Sequence, residues 1–120
     1  MRLDRLVKTT VAALEDIKGH DIVVLDVKRM TALFDRIILA SADSARQGKA
    51  LARNVQEKLK AAGARVYGVE GDREGEWILV DLGAVIVHIM QPAIRKHYNL
   101  EELWGSPPRR ARRGRRPVPS

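Results

Sequence analysis

Apolar residues near the start of the chain recur at three- and four-residue steps. Leu3, Leu6, Val7, Val11, Leu14 and Ile17 share one side of a 3.6-residue period, which predicts an amphipathic helix, with Gly19 as its stop. The pattern then tightens. Ile22-Val23-Val24-Leu25, between Asp21 and Asp26, is a fully apolar run of strand length and predicts a strand covered on both faces or nearly so. Residues 28–35 read as a connection, and Arg36-Ile37-Ile38-Leu39-Ala40 as a second strand. Helical spacing returns at Leu51, Ala52, Val55, Leu59 and Ala62, opened by Ser44 and Gln47 in capping-box positions and closed by Gly63. Gly48 inside that helix costs up to about 1 kcal/mol against alanine. It marks either a close backbone contact or an unimproved surface position. Val66-Tyr67-Gly68-Val69 is a third, weaker strand, and strand, helix, strand most economically form a right-handed parallel crossover.

The most informative stretch is residues 75–90, GEWILVDLGAVIVHIM. Two runs rich in β-branched residues flank Leu82-Gly83 and predict a β-hairpin. With Leu82-Gly83 as the loop, Asp81 faces Ala84, Leu79 faces Ile86, and Trp77 faces His88. One face then carries Ile78, Val80, Val85, Val87 and Ile89, all branched aliphatics that belong against helices. The other carries Trp77, Leu79, Asp81, Ile86 and His88. A tryptophan beside a histidine more often finishes a core. Here Asp81 shares the face, and its carboxylate is costly to bury unpaired, so this face reads as an interaction surface.

After the hairpin, Pro92 suits a first helical turn, residues 93–98 form a short helix, and Asn99 caps a further turn through Leu100, Leu103 and Trp104. The whole is an α/β domain over residues 1–104, with a small mixed sheet of about five strands, helices on one side or at its ends, and one face partly open. Residues 105–120, GSPPRRARRGRRPVPS, have almost nothing to bury and hold four of the five prolines. That composition predicts a disordered basic tail.

Charge sharpens this division. The net charge of +7 includes Arg109, Arg110, Arg112, Arg113, Arg115 and Arg116, which leaves residues 1–104 with 16 basic and 15 acidic side chains. A phosphate-binding argument therefore applies to the tail, where closely spaced arginines suit a possible RNA contact, and not to the nearly neutral domain. Cysteine is absent, which excludes disulfides and thiolate metal sites. Three histidines without ligand spacing predict no metal. The opening MRLDRLVKTTVAALED carries acids early and no long apolar core, so neither a signal nor a transit peptide is expected. No run approaches the roughly 20 apolar residues of a membrane span. The expectation is a soluble, cytoplasmic protein without membrane contact.

Nucleotidyl transfer would need two or three carboxylates converging on metal ions. Asp26 and Asp81 stand alone on their strands, and Glu70 and Asp72 lie in the loop EGDREGE, so the chain is expected not to be an enzyme and to use no cofactor.

The segments EKLKAAGARVYGVEG, GEWILVDLGAVIVHIM and RKHYNLEELW resemble the ribosomal silencing factor family, RsfS or iojap-like, over residues 3–104. The specific matches are Gly75-Glu76-Trp77, Asp81 and Gly83, Val87-His88, Tyr98, Leu100-Glu101 and Leu103-Trp104. Asp26, Asp35 and Arg46-Gln47 match more weakly. The chain departs from the family's pattern at Phe34-Asp35-Arg36, Ala42-Asp43-Ser44 and Ala84. The resemblance implies a nucleotidyltransferase-like topology without transferase activity and a homodimer when free. It also implies binding to the large ribosomal subunit through large-subunit protein fourteen, which blocks joining of the small subunit and represses translation. The expected protein-binding residues are Glu76, Trp77, Leu79, Asp81, His88 and Tyr98, with rRNA within reach of the tail. An RNA-binding protein on an inactive nucleotidyltransferase-like fold is the alternative, and an active nucleotidyltransferase a weaker one.

Overall fold

The computed structural model describes residues 1–105; the tail arginines lie outside them. Helix α1 (Leu3–Asp16) is followed by β1 (His20–Asp26), β2 (Arg36–Ser41), α2 (Ala45–Ala61), β3 (Gly68–Glu70), β4 (Trp77–Asp81), β5 (Val85–Met90), α3 (Pro92–Tyr98) and α4 (Leu100–Gly105). The strands form one mixed sheet in the order β1-β2-β5-β4-β3, in which β2 and β5 are parallel and the other pairs antiparallel. The predicted α/β class with five strands and helices is observed. These pairings make β3 run parallel to β2, as a crossover through α2 requires, but β5 and β4 lie between them. The third strand starts later than its apolar run, at Gly68.

Two cores flank the sheet. On one face, Ile38, Ala40, Ile78, Val80, Val85, Val87 and Ile89 pack with Leu6 and Leu14 of α1 and Leu51, Val55 and Leu59 of α2. On the other, Val27, Ile37, Leu39 and Met90 are buried with Met30, Phe34, Trp77, Ile94, Leu100 and Trp104 against them. This second layer leaves that face only partly open, as the sequence predicts. The short C-terminal helices and the β1–β2 connection cover part of it, because Ile94, Leu100 and Trp104 need somewhere to bury.

The strand covered on both faces is β2, buried from Ile37 to Ser41. The apolar run of β1 suggested that role, yet β1 is an edge strand with Val24 42% exposed. Its register shifts between His20 and Val23, and Asp21 adopts φ +50. A bulge of this kind protects an exposed edge.

The hairpin register also differs. Trp77 pairs with Met90, Leu79 with His88 and Asp81 with Ile86, and the Leu82 N–H donates to the Val85 carbonyl at 2.9 Å. The reversal therefore falls at Gly83-Ala84. Gly83 takes φ +84, a conformation that suits glycine as first loop residue. Moving the loop by one residue shifts each partner by two, so the predicted division of faces survives.

Helix ends follow local chemistry with two adjustments. Helix α2 closes as expected: Gly63 at φ +87 donates to Lys60, and Ala64 to Leu59, a Schellman closure. Helix α1 closes the same way, but the left-handed residue is Lys18 at φ +66, and Gly19 follows it, donating to the Leu14 carbonyl at 2.9 Å. At the start of α2, Ser44 Oγ accepts the Gln47 N–H at 3.1 Å. The Gln47 side chain does not complete a capping box on Ser44. Its Oε1 accepts from the Asp43 N–H, and its Nε2 donates to the Ile17 and Lys18 carbonyls, which ties the end of α1 to the start of α2.

Candidate functional site

Trp77 opens β4 after a tight turn. Gly75, at φ +82, donates its N–H to the Gly71 carbonyl at 2.9 Å and lies against the first turn of α2. A Cβ on Gly48 would stand 2.9 Å from the Gly75 carbonyl, and one on Gly75 equally close to Ala45. Of the two readings of Gly48, the close backbone contact holds and the unimproved surface position does not, since Gly48 is buried. The Glu76 carbonyl accepts the Gln91 N–H at 3.0 Å, and the Glu76 side chain is exposed.

The Trp77 indole Nε1–H donates to His88 Nδ1 at 3.0 Å, with ring centroids 5.9 Å apart. Indole nitrogen can only donate, so Nδ1 supplies a lone pair and the neutral ring carries its hydrogen on Nε2. Burial pushes the His88 pKa down to about 4. Trp77 also meets Tyr98, the last residue of α3, at 4.8 Å between centroids and 47° between planes. Tyr98 remains 53% exposed and carries His97 edge-on at 4.8 Å. Met90, buried and paired with Trp77 across the strands, is its apolar neighbour on the same face.

The expected site residues thus divide. Trp77, His88 and Tyr98 converge, Leu79 pairs with His88 in the adjacent strand, and Glu76 stands exposed beside Trp77. Asp81 turns to the hairpin tip, where its carboxylate accepts the Gly83 N–H at 2.8 Å, so its acidity is partly used within the loop. The tilted contact of Tyr98 with Trp77 joins residues 21 positions apart and had no local signal. Trp77 is half-buried, neither sealed beneath its helices nor fully presented.

A second polar cluster escaped the sequence reading. Arg95 on α3 is only 8% exposed; its Nη1 donates to Ser41 Oγ at 2.9 Å and its Nε to Glu101 at 3.0 Å. It lines a cleft of about 650 Å³ with Asp21, Lys96 and Asn99. Its signal in the sequence was weak: one arginine among the basic residues of a short helix.

The carboxylates do not gather. Asp26 pairs with Arg36 at 3.1 Å on the edge strand, and Asp81 lies on β4 with β2 and β5 between them. Among the described residues no three His, Asp or Glu side chains converge to hold a metal, and no helix is long and apolar enough to cross a membrane.

Comparison with known proteins supplies what geometry cannot. A family model described as ribosomal silencing factor during starvation matches residues 1–118, beyond residue 104 where the resemblance above ends. The chain is 53% identical over 105 residues to ribosomal silencing factor RsfS of Chromobacterium violaceum, covering 88% of this chain and 86% of that one. It is 35% identical over 108 residues to the protein of that name from Bacillus subtilis, with 90% and 92% covered. A crystal structure of a Chromobacterium violaceum protein superposes with a TM-score of 0.86 at 52% identity, covering 89% of each chain.

Proposed function

Because the chain belongs to the ribosomal silencing factor family, we propose that it binds the large ribosomal subunit through large-subunit protein fourteen and blocks joining of the small subunit, repressing translation in the cytoplasm. The observation that carries this reading is the Trp77–Tyr98 pair: two large aromatics, one half-buried and one exposed, beside the exposed Glu76. Aromatics with a fixed orientation and a polar rim are what a binding hot spot requires. The exposed acids Glu70, Asp72, Glu74 and Glu76 around the β3–β4 turn suit a basic ribosomal partner and would speed encounter more than they add affinity. The action is occupation of area, with no bond made or broken, and the scattered carboxylates favour that over nucleotidyl transfer. Free in solution, the same patch, including Leu79 and Ile86, would suit self-pairing as a homodimer.

Trp77→Ala tests the reading. The variant protein is expected to melt cooperatively, yet to lose at least about 2 kcal/mol of binding to isolated large subunits, seen as loss of co-sedimentation. A folded variant that still pellets with large subunits and still prevents their joining would refute the assignment of this surface.

A further inference from the structure

We infer that His88 is a positioning residue for Trp77: its Nδ1 lone pair fixes the orientation in which the indole meets the partner, and it acts through Trp77 instead of by its own contact. The inference rests on the reading that Trp77 lies in the interface. In the sheet, His88 is flanked by Leu39 on β2 and Leu79 on β4. Leu39 is fully buried. Packing in such a row would be served as well by another leucine, and the one hydrogen bond of the His88 ring among the described residues is the one from Trp77. The imidazole is thus held in an apolar slot and directs its acceptor at the indole.

Trp77 needs such a restraint. It is the first residue of β4, next to the Gly75 turn and the exposed Glu76, and backbone pairing does not by itself fix its side-chain torsions. The Tyr98 ring, tilted at 47°, permits sliding, and Met90 beside the indole is apolar and non-directional. Among the described contacts of Trp77 the Nε1–H to Nδ1 bond is the directional one, and it specifies how the indole is rotated. A side chain ordered before binding does not lose rotamer freedom on binding, which raises affinity without any new contact.

The test uses the full chain. The two tryptophans, Trp77 and Trp104, supply two indole N–H signals, the second an internal control. In the wild-type protein the ¹⁵N shifts of His88 should report a neutral ring with its hydrogen on Nε2, and a hydrogen on Nδ1 would overturn the inference before any substitution is made. His88→Leu, which keeps bulk and removes the acceptor, should move the Trp77 signal, leave that of Trp104 in place, and weaken large-subunit binding about fivefold or more. His88→Asn, which restores an acceptor, should recover both. An unmoved Trp77 signal, or wild-type binding by His88→Leu while Trp77→Ala binds poorly, refutes the positioning role alone. If Trp77→Ala binds normally, the interface reading fails instead.

Discussion

His88 and Trp77 constrain each other's chemistry: the indole demands a neutral imidazole, and burial supplies one. The histidine's pKa falls from 6.5 to about 4 in the folded chain, so the unfolded chain binds the proton more readily. Its contribution to stability is complete above pH 6.5 and is lost as pH falls toward about 4, amounting to about 3 kcal/mol at most. His20 has the opposite sign. Asp43 at 2.8 Å and then Asp21 at 3.2 Å raise its pKa, so its contribution is present below pH 6.5 and lost as pH rises through the raised value. Urea stability should therefore fall between pH 6.5 and 4, and His88→Leu should flatten that limb. An equally steep limb in the variant would assign it to other groups. Gly48 offers a second test at this scale. Helix propensity alone predicts that Gly48→Ala stabilises by up to about 1 kcal/mol. The new Cβ would stand 2.9 Å from the Gly75 carbonyl, which is backbone and yields little, so a net loss of about 1–2 kcal/mol is expected. A denaturation midpoint at or above the wild-type value would contradict it.

Elements were legible where a local period or cap decides them. The span of α2 follows from Ser44, the apolar stripe and Gly63, and α3 starts at Pro92 as expected. Hairpin faces followed from alternation, while the exact pairs did not, because a two-residue shift leaves alternation unchanged and only the φ of Gly83 selects the loop. The run Ile22–Leu25 misled for a related reason: composition tells how apolar a strand is, not whether a neighbour lies on each side of it. How α3 and α4 dock depends on Arg95, which joins Ser41 on β2 to Glu101 on α4. Arg95→Met keeps the stem and removes the donors, leaving the Ser41 hydroxyl buried without its partner. It should cost about 2 kcal/mol, visible as a lower melting temperature. An unchanged melting temperature would mean that the apolar contacts of Ile94, Leu100 and Trp104 suffice.

On the scale of the whole molecule, charge is unevenly distributed along the chain. The domain is close to neutral, and six arginines follow it without an acid among them. If those arginines reach rRNA when the domain is bound, they add affinity without specificity, and truncation after Gly105 should lower the slope of log affinity against log salt by up to about 4–5. Sedimentation with large subunits at several salt concentrations measures this, and an unchanged slope would remove the tail from the interaction. Periodicity, caps and composition by themselves determined the α/β class, most element spans, the two faces of the hairpin and the basic tail, because each is set by contacts within a few residues or by the chain's overall content. Only the tertiary structure decided which strand is central, that a second core partly covers the Trp77 face, and that Tyr98 and Arg95 reach across to β4 and β2. Those outcomes depend on which distant segments compete to bury the same surface, and no local pattern records that competition.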